Sequence, residues 1–204
     1  MAWTRDDVVV FDLHRDRYDL LPSAAAVLQQ RDADSLRIED EAARDELMRA
    51  GYLAAQERAA TAAFCAPKAA IEPPEDPRAH LALCAFAATN SLAATAIFKR
   101  RTLAELVTRA SRKRRNRSHA PTRSEISSAL NVFYAVYPWL PWQGDCLQRA
   151  FLLHTHLHHH GMDARWVFGV RTWPFLAHCW VQIDDIVVGD SLSRTNGFTP
   201  IMAV

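Results

Sequence analysis

Residues 164–190, ARWVFGVRTWPFLAHCWVQIDDIVVGD, decide how this chain folds. Three runs rich in β-branched and aromatic residues, 164–170, 177–183 and 186–188, are separated by a Thr-Trp-Pro break and by Asp184-Asp185. That pattern reads as three successive strands, the last two joined by a tight hairpin. Immediately upstream, residues 146–160 form a long amphipathic run preceded by Asp145 and closed by Gly161. A helix feeding a short-looped sheet puts this part of the chain in the α+β class.

The same stretch carries chemistry. Cys146 falls in the first turn of its helix, where unpaired amide N–H groups and the positive end of the helix dipole favour a thiolate. Those N–H groups can also hold a tetrahedral oxyanion, and Gln143, three residues earlier, is a further candidate donor. His178 and Trp180 share one face of their strand, while Cys179 points to the other and reads as a packed core thiol. Asp190, beyond the next strand, can reach His178 and fix its tautomer. Asp184 and Asp185 are rival carboxylates, farther away at the turn, and Asp145 reads as the helix N-cap. Cys146, His178 and Asp190 are therefore the candidate nucleophile, base and orienting acid. Spacing alone leaves the plainer reading open, because buried cysteines are common.

Further upstream, residues 8–13 and 17–21 read as a hairpin, with residues 2–4 as a possible third strand. An Ala-rich helix follows from Ser23 to about Gln30, and another spans residues 38–50 with Gly51 as its stop. Pro67, Pro73, Pro74 and Pro77 then mark a linker, hostile to helix and central strand. Beyond it come an uncharged Ala-rich helix at 81–98, expected to be buried, and helices at 102–110 and 126–137. Thr122 and Glu125 stand in capping-box positions ahead of the last of these. The boundaries that follow are 1–62, a linker at 63–78, and 79–204.

Composition limits the functional classes. Half of the 204 residues are hydrophobic, enough for a sizeable core, and a formal net charge of +1 gives no general bias towards nucleic acid or membrane. Basic residues cluster at 99–117, but no aromatic residues interleave with the densest part, so a solvated face or docking surface is favoured over nucleic acid. The 18 uncharged residues at 81–98 precede Lys99, Arg100 and Arg101, yet Thr89, Asn90, Ser91 and Thr95 interrupt them, favouring a core helix over a membrane span. Four cysteines without disulfide spacing and an N-terminus unlike a signal peptide suit a reducing cytoplasm. His154 and His158 are a usable i, i+4 metal pair, but no third ligand stands nearby, so neither metal nor other cofactor is expected.

The run GVRTxPFxxHxWV at 169–181, with Asp145-Cys146-Leu147 upstream and Asp190 downstream, resembles the B proteins of lasso peptide biosynthesis. The resemblance is close over residues 139–204 and loose elsewhere. It implies a papain-like or transglutaminase-like α+β core acting as a cysteine protease that removes the leader from a ribosomally made precursor. Cys146 would be nucleophile, His178 base and Asp190 orienting carboxylate. Phe11-Asp12-Leu13, Arg17-Tyr18 and Ala50-Gly51-Tyr52-Leu53 resemble the small β-hairpin, winged-helix-like precursor-recognition domain of that family. Such a domain binds the leader as an added strand. Arg17, Tyr18, Asp19, Leu20 and Leu21, with Leu47 on the following helix, are the candidate groove. The resemblance also implies a partner, an asparagine-synthetase-like macrolactam synthetase that uses ATP, since nothing in this chain resembles a nucleotide site. Two rivals remain: a transglutaminase-like acyl transferase using the same thioester, and a non-catalytic chaperone that delivers the precursor.

Overall fold

The computed structural model describes residues 1–32, 35–38, 40–52, 65–111 and 120–204. Leu53 and residues 112–119 of the basic run lie outside them. The chain opens with β1 (Ala2–Thr4), β2 (Asp7–Asp12) and β3 (Arg17–Leu21), an antiparallel sheet in that order. The helix expected at 23–30 does not form. A single 3-10 turn at Ala24–Ala26 leads instead into a hairpin of β4 (Leu28–Asp32) and β5 (Ser35–Ile38). Ser23 explains the difference: it adopts a left-handed φ of 55° and makes no cap bond, while its N–H donates to Asp7 Oδ1 at 3.0 Å. Leu28 is then buried with Val8 and Ile38, long-range packing that overrides local helix propensity.

Helix α1 (Glu41–Arg49) starts later than its periodicity suggests, because Ile38 belongs to β5 and Asp40 accepts the amides of Ala42 and Ala43. Gly51, at φ 79°, lets Tyr52 N–H reach back to the Leu47 carbonyl at 2.9 Å and closes the helix.

The larger sheet has the order β10-β7-β8-β9-β6. Its members are β6 (Ala69–Ile71), β7 (Arg165–Arg171), β8 (Leu176–Ile183), β9 (Ile186–Val188) and β10 (Thr199–Ala203). The proline-rich linker is thus partly a strand. Ala69–Ile71 pairs in parallel with β9 at the sheet edge, a position that tolerates flanking prolines. Helices α2 (Leu81–Arg100), α3 (Leu103–Ala110), α4 (Arg123–Val136) and α5 (Cys146–His159) precede β7, and a short α6 (Leu192–Thr195) precedes β10. Trp166, Phe168 and Val170 of β7, with Cys179, Val181 and Ile183 of β8, share the main core with α4 and α5. Val167, Trp180 and Val187 pack on the opposite face with Phe198.

Helix α2 is less buried than expected. Ala87, Ser91, Ala94 and Thr95 pack inward, while Leu81, Leu83, Phe86 and Leu92 are exposed. Its small residues make the close approach to α4 and α5, and of its large ones Ile97 and Phe98, near the C-terminus, also pack on the core, Phe98 meeting Phe151 at 5.7 Å. By length and composition it could cross a membrane, though one face packs in the core.

The first sheet lies directly on the second unit. Ala2 and Val9 belong to the main core, Phe11 meets Phe168 at 5.6 Å, and Trp173 Nε1–H donates to Asp7 Oδ2 at 2.8 Å.

Candidate active site

Helix α5 begins at Cys146 with Asp145 in the N-cap position, φ −64° and ψ −175°, but the carboxylate accepts no bond from the first turn. Asp145 therefore holds the position without doing the capping expected of it. Arg149 donates the first intrahelical bond, to the Asp145 carbonyl at 3.1 Å, so the amides of residues 146–148 have no acceptor within the helix. The loop ahead of the helix is fastened by Gln148, which is buried and donates through Nε2 to the Trp142 carbonyl at 2.9 Å. Its Oε1 fills the space a Cβ on Gly144 would take, so a larger residue there would require Gln148 to shift. Gln143 is turned to other partners. Its Nε2 donates to the carbonyls of Tyr137 at 3.2 Å and Pro138 at 2.7 Å rather than towards Cys146.

His178 lies in β8 directly opposite Gly169 of β7. A Cβ on Gly169 would stand 2.5 Å from the indole of Trp180, so this glycine makes room for the ring. Trp180 and Phe198 flank the imidazole, with centroids 6.1 and 5.2 Å away. After β9 ends opposite Val181, Gly189 turns the chain at φ 75°, its carbonyl accepting from Tyr134 Oη–H at 3.1 Å. The turn delivers Asp190, whose Oδ2 meets His178 Nε2 at 2.6 Å, both residues being buried. Asp190 Oδ1 accepts the Ser191 N–H at 2.8 Å. Asp184 and Asp185 stay in the hairpin turn between β8 and β9.

Cys146, half-buried, is hydrogen-bonded by the thiol of Cys179, by the His178 imidazole and by the Cys179 amide. These donors outweigh burial and bring its pKa down to about 4. Burial opposes the charge on His178, yet its bonds to Asp190 and Cys146 raise it to about 9. The pair is set as thiolate and imidazolium between those values. Cys179 is pushed far up by its bond to Cys146 and by burial, and so remains a thiol that donates. It is the packed core residue expected, but more than that: its side of β8 faces α5, so it meets the first residue of the helix.

Cys146 and His178 open onto a cleft of about 520 Å³, with Leu176, Ala177 and Phe198 in its walls. Of the five tryptophans around this segment, Trp166 and Trp180 are buried, whereas Trp139, Trp142 and Trp173 are exposed. Neither Trp142 nor Trp173 lines the cleft.

The recognition candidates divide between two surfaces. Arg17 pairs with Asp19 at 3.1 Å, Tyr18 stacks on Phe11 at 4.3 Å and reaches Phe175 at 5.7 Å, and Leu20 packs on the main core. Leu21 and Leu47 belong instead to the smaller core around Val8 and Leu28. Among the described residues β3 pairs with β2 alone, leaving its other edge open. The histidine run is packing: His154 Nε2 meets His158 Nε2 at 2.9 Å, and His156 Nε2 meets the Ala129 carbonyl at 3.0 Å. Among the described residues no group of three or more His, Cys, Asp or Glu could hold a metal ion.

Gln148 and Gly169 were the site residues that sequence reasoning did not single out for their roles. A polar residue on the apolar face of α5, and a glycine opposite the candidate histidine, were the available signals.

An unblocked helix start bearing a thiolate, faced by a histidine on an antiparallel strand, is the arrangement of a transglutaminase-like domain. The family model of the transglutaminase-like superfamily matches residues 85–203, more than half of the chain, and the protein belongs to that superfamily. The chain is also similar to the microcin J25-processing protein McjB of Escherichia coli, 35% identical over 69 residues. That match covers 34% of this chain and 31% of McjB, so the two correspond over about a third of each. No solved structure matches the chain significantly.

Proposed function

We propose that the protein is a cysteine peptidase that removes the leader from a lasso peptide precursor before macrolactam closure. The observation that carries the reading is the chain of bonds from Asp190 through His178 to Cys146 at an uncapped helix start. In this mechanism the Cys146 thiolate attacks the scissile carbonyl, and the first-turn amides of α5 hold the oxyanion. Collapse breaks the C–N bond as His178 gives its proton to the leaving amine. Water, deprotonated by His178, then attacks the thioester, and its hydroxyl completes the new carboxylate while the thiolate leaves. Asp190 keeps Nε2 of His178 occupied and the ring turned towards sulfur.

Residues 1–62 are the proposed recognition unit, with the leader added along the open edge of β3. Tyr18 supports this placement, because it belongs to that strand and contacts Phe175, three residues before His178. The setting is the cytoplasm, where the four free cysteines stay reduced, beside an ATP-using macrolactam synthetase that closes the ring on the freed core peptide.

The test incubates the full chain with its precursor peptide and reads the products by mass. Addition of one water across one bond by the native chain, and no cleavage by Cys146→Ala, is the expected result. Equal cleavage by Cys146→Ala overturns the proposal, and an amine in place of water in the product assigns the chain to acyl transfer.

A further inference from the structure

The cleft beside Cys146 carries positive charge that the reaction does not use. Arg149, Arg171 and Arg194 all line it, and among the described residues no carboxylate does. Arg149 sits three residues after Cys146 on α5, about one turn along, and lines the same cleft. Arg171 is the last residue of β7, with its guanidinium 5.6 Å from the centre of the Phe198 ring, a contact that steadies the side chain and leaves its N–H groups free. Among the described residues, neither Arg149 nor Arg171 has a carboxylate within ion-pair distance, and neither guanidinium donates a hydrogen bond. Arg194 stands 3.8 Å from Asp190 Oδ1, but that carboxylate is already engaged by His178 and Ser191. Cys146, His178 and Asp190 together carry one negative charge, so with the three guanidiniums the site keeps an excess of two positive charges.

Resting on the peptidase reading above, the geometry points to a carboxylate-binding subsite formed by Arg149 and Arg171, with Arg194 at its rim, which selects a peptide bearing an acid close to the scissile bond. Guanidinium forks match a carboxylate with two parallel N–H···O bonds, which a neutral side chain cannot supply. A cleft of one sign also concentrates ligands of the other. The acid is either an Asp or Glu side chain or the terminal carboxylate of the peptide, and both present the same group to the arginines.

Two alkylating reagents that differ in charge test the subsite without needing the natural substrate. Modification of Cys146 by iodoacetate, which carries a carboxylate, and by neutral iodoacetamide is followed in the full chain at pH 6 and low salt by peptide mapping. The ratio of the two rates is expected to fall about tenfold in the double variant Arg149→Gln, Arg171→Gln, and to persist in Arg149→Lys, Arg171→Lys. It should also fall as salt is raised in the native chain. A ratio unchanged by the double glutamine variant overturns the subsite while leaving the thiolate intact. Native Cys146 reacting no faster than exposed Cys65 overturns the peptidase reading and the subsite together. The source of the acid is read from protection of Cys146 against iodoacetamide by millimolar peptides. Amide-capped acetyl-Gly-Gly-Asp-Gly-Gly reports a side chain and acetyl-pentaglycine with a free carboxylate reports a terminus. Protection by neither beyond amide-capped acetyl-pentaglycine overturns the inference.

Discussion

Helices α4 and α5 lie against each other in one core, yet they begin in opposite ways. At the start of α4, the Thr122 hydroxyl accepts the Glu125 amide at 3.3 Å and the Glu125 carboxylate accepts the Thr122 amide at 2.8 Å, a closed capping box. At the start of α5, Asp145 occupies the same position and its side chain accepts nothing. Helix α3 repeats the first solution with Thr102 and Glu105. Helix α2 also starts without a side-chain cap, at His80, so an open start is not by itself a mark of chemistry; at α5 it is the cysteine in the first turn that gives the open amides a use. An unmet N–H group costs stability of the order of 1 kcal/mol, and it is also the donor that a developing oxyanion requires. In the proposed mechanism, one piece of helix physics serves stability at one terminus and chemistry at the other.

The largest effect is expected at the open terminus. Cys146→Ala should lower leader cleavage by about 10⁴-fold or more, measured as rate per folded molecule, since the amides that remain have no nucleophile to serve. Asp190→Asn should cost about 10²-fold at pH 8, because the imidazolium loses the carboxylate that supports it. The sign of its pH effect is definite. Cleavage requires thiolate and imidazolium together, so the native profile rises through about 4 as Cys146 ionises and falls through about 9 as His178 loses its proton. With Asn at 190 the alkaline limb should move down towards the ordinary histidine value. An unmoved limb would show that the charge of Asp190 does not reach the reaction. Cys179→Ala removes the principal donor to the Cys146 sulfur, and the acid limb should therefore move up while the alkaline limb shifts less.

Gly169 joins fold to site. Gly169→Ala would set a Cβ 2.5 Å from Trp180 and 3.0 Å from the Phe198 Cβ, on the face where His178 sits. A cost of about 1–3 kcal/mol in urea unfolding is expected, from overpacking, along with slower cleavage as the ring beside His178 moves. Full stability in Gly169→Ala would show that Trp180 has room to yield.

How much of this was legible in the sequence follows from the range of the forces involved. Runs of β-branched and aromatic residues bounded by turn residues placed β7, β8 and β9 within a residue or so, because these strands are buried on both faces, and amphipathic spacing placed α5. The register of a two-residue hairpin also made Asp190 a candidate for His178 in advance, and the Thr122–Glu125 box was plain from its spacing. Residues 23–30 misled, since Ala, Val, Leu and Gln suit a helix until Leu28 finds Val8 and Ile38 across the fold. Helix α2 misled in another way. Hydropathy counts Leu81, Leu83, Phe86 and Leu92, whereas backbone approach is decided by Ala87, Ser91 and Ala94, so those four larger side chains are left outside while Ile97 and Phe98 pack in. Asp145 was placed correctly at the N-cap, but its missing cap bond and the turn of Gln143 to other carbonyls could not be read, because where a short side chain points depends on a few ångströms of loop.

The smallest effect returns to the two helix starts and discriminates between them most directly. Thr122→Ala removes a bonded cap and should destabilise the protein by about 1 kcal/mol in denaturant unfolding, with cleavage per folded molecule retained. Asp145→Ala removes a residue at the same position whose side chain makes no cap bond, so its cost should be less than about 0.5 kcal/mol, set only by the charge–dipole attraction of an exposed carboxylate. Its kinetic effect has the opposite sign from a lost cap. Taking a negative charge from beside Cys146 favours the thiolate and should move the acid limb of the cleavage profile downward. Equal destabilisation by the two substitutions would mean that Asp145 caps α5 in solution, and the open oxyanion site at that terminus would then have to be formed by the arriving substrate.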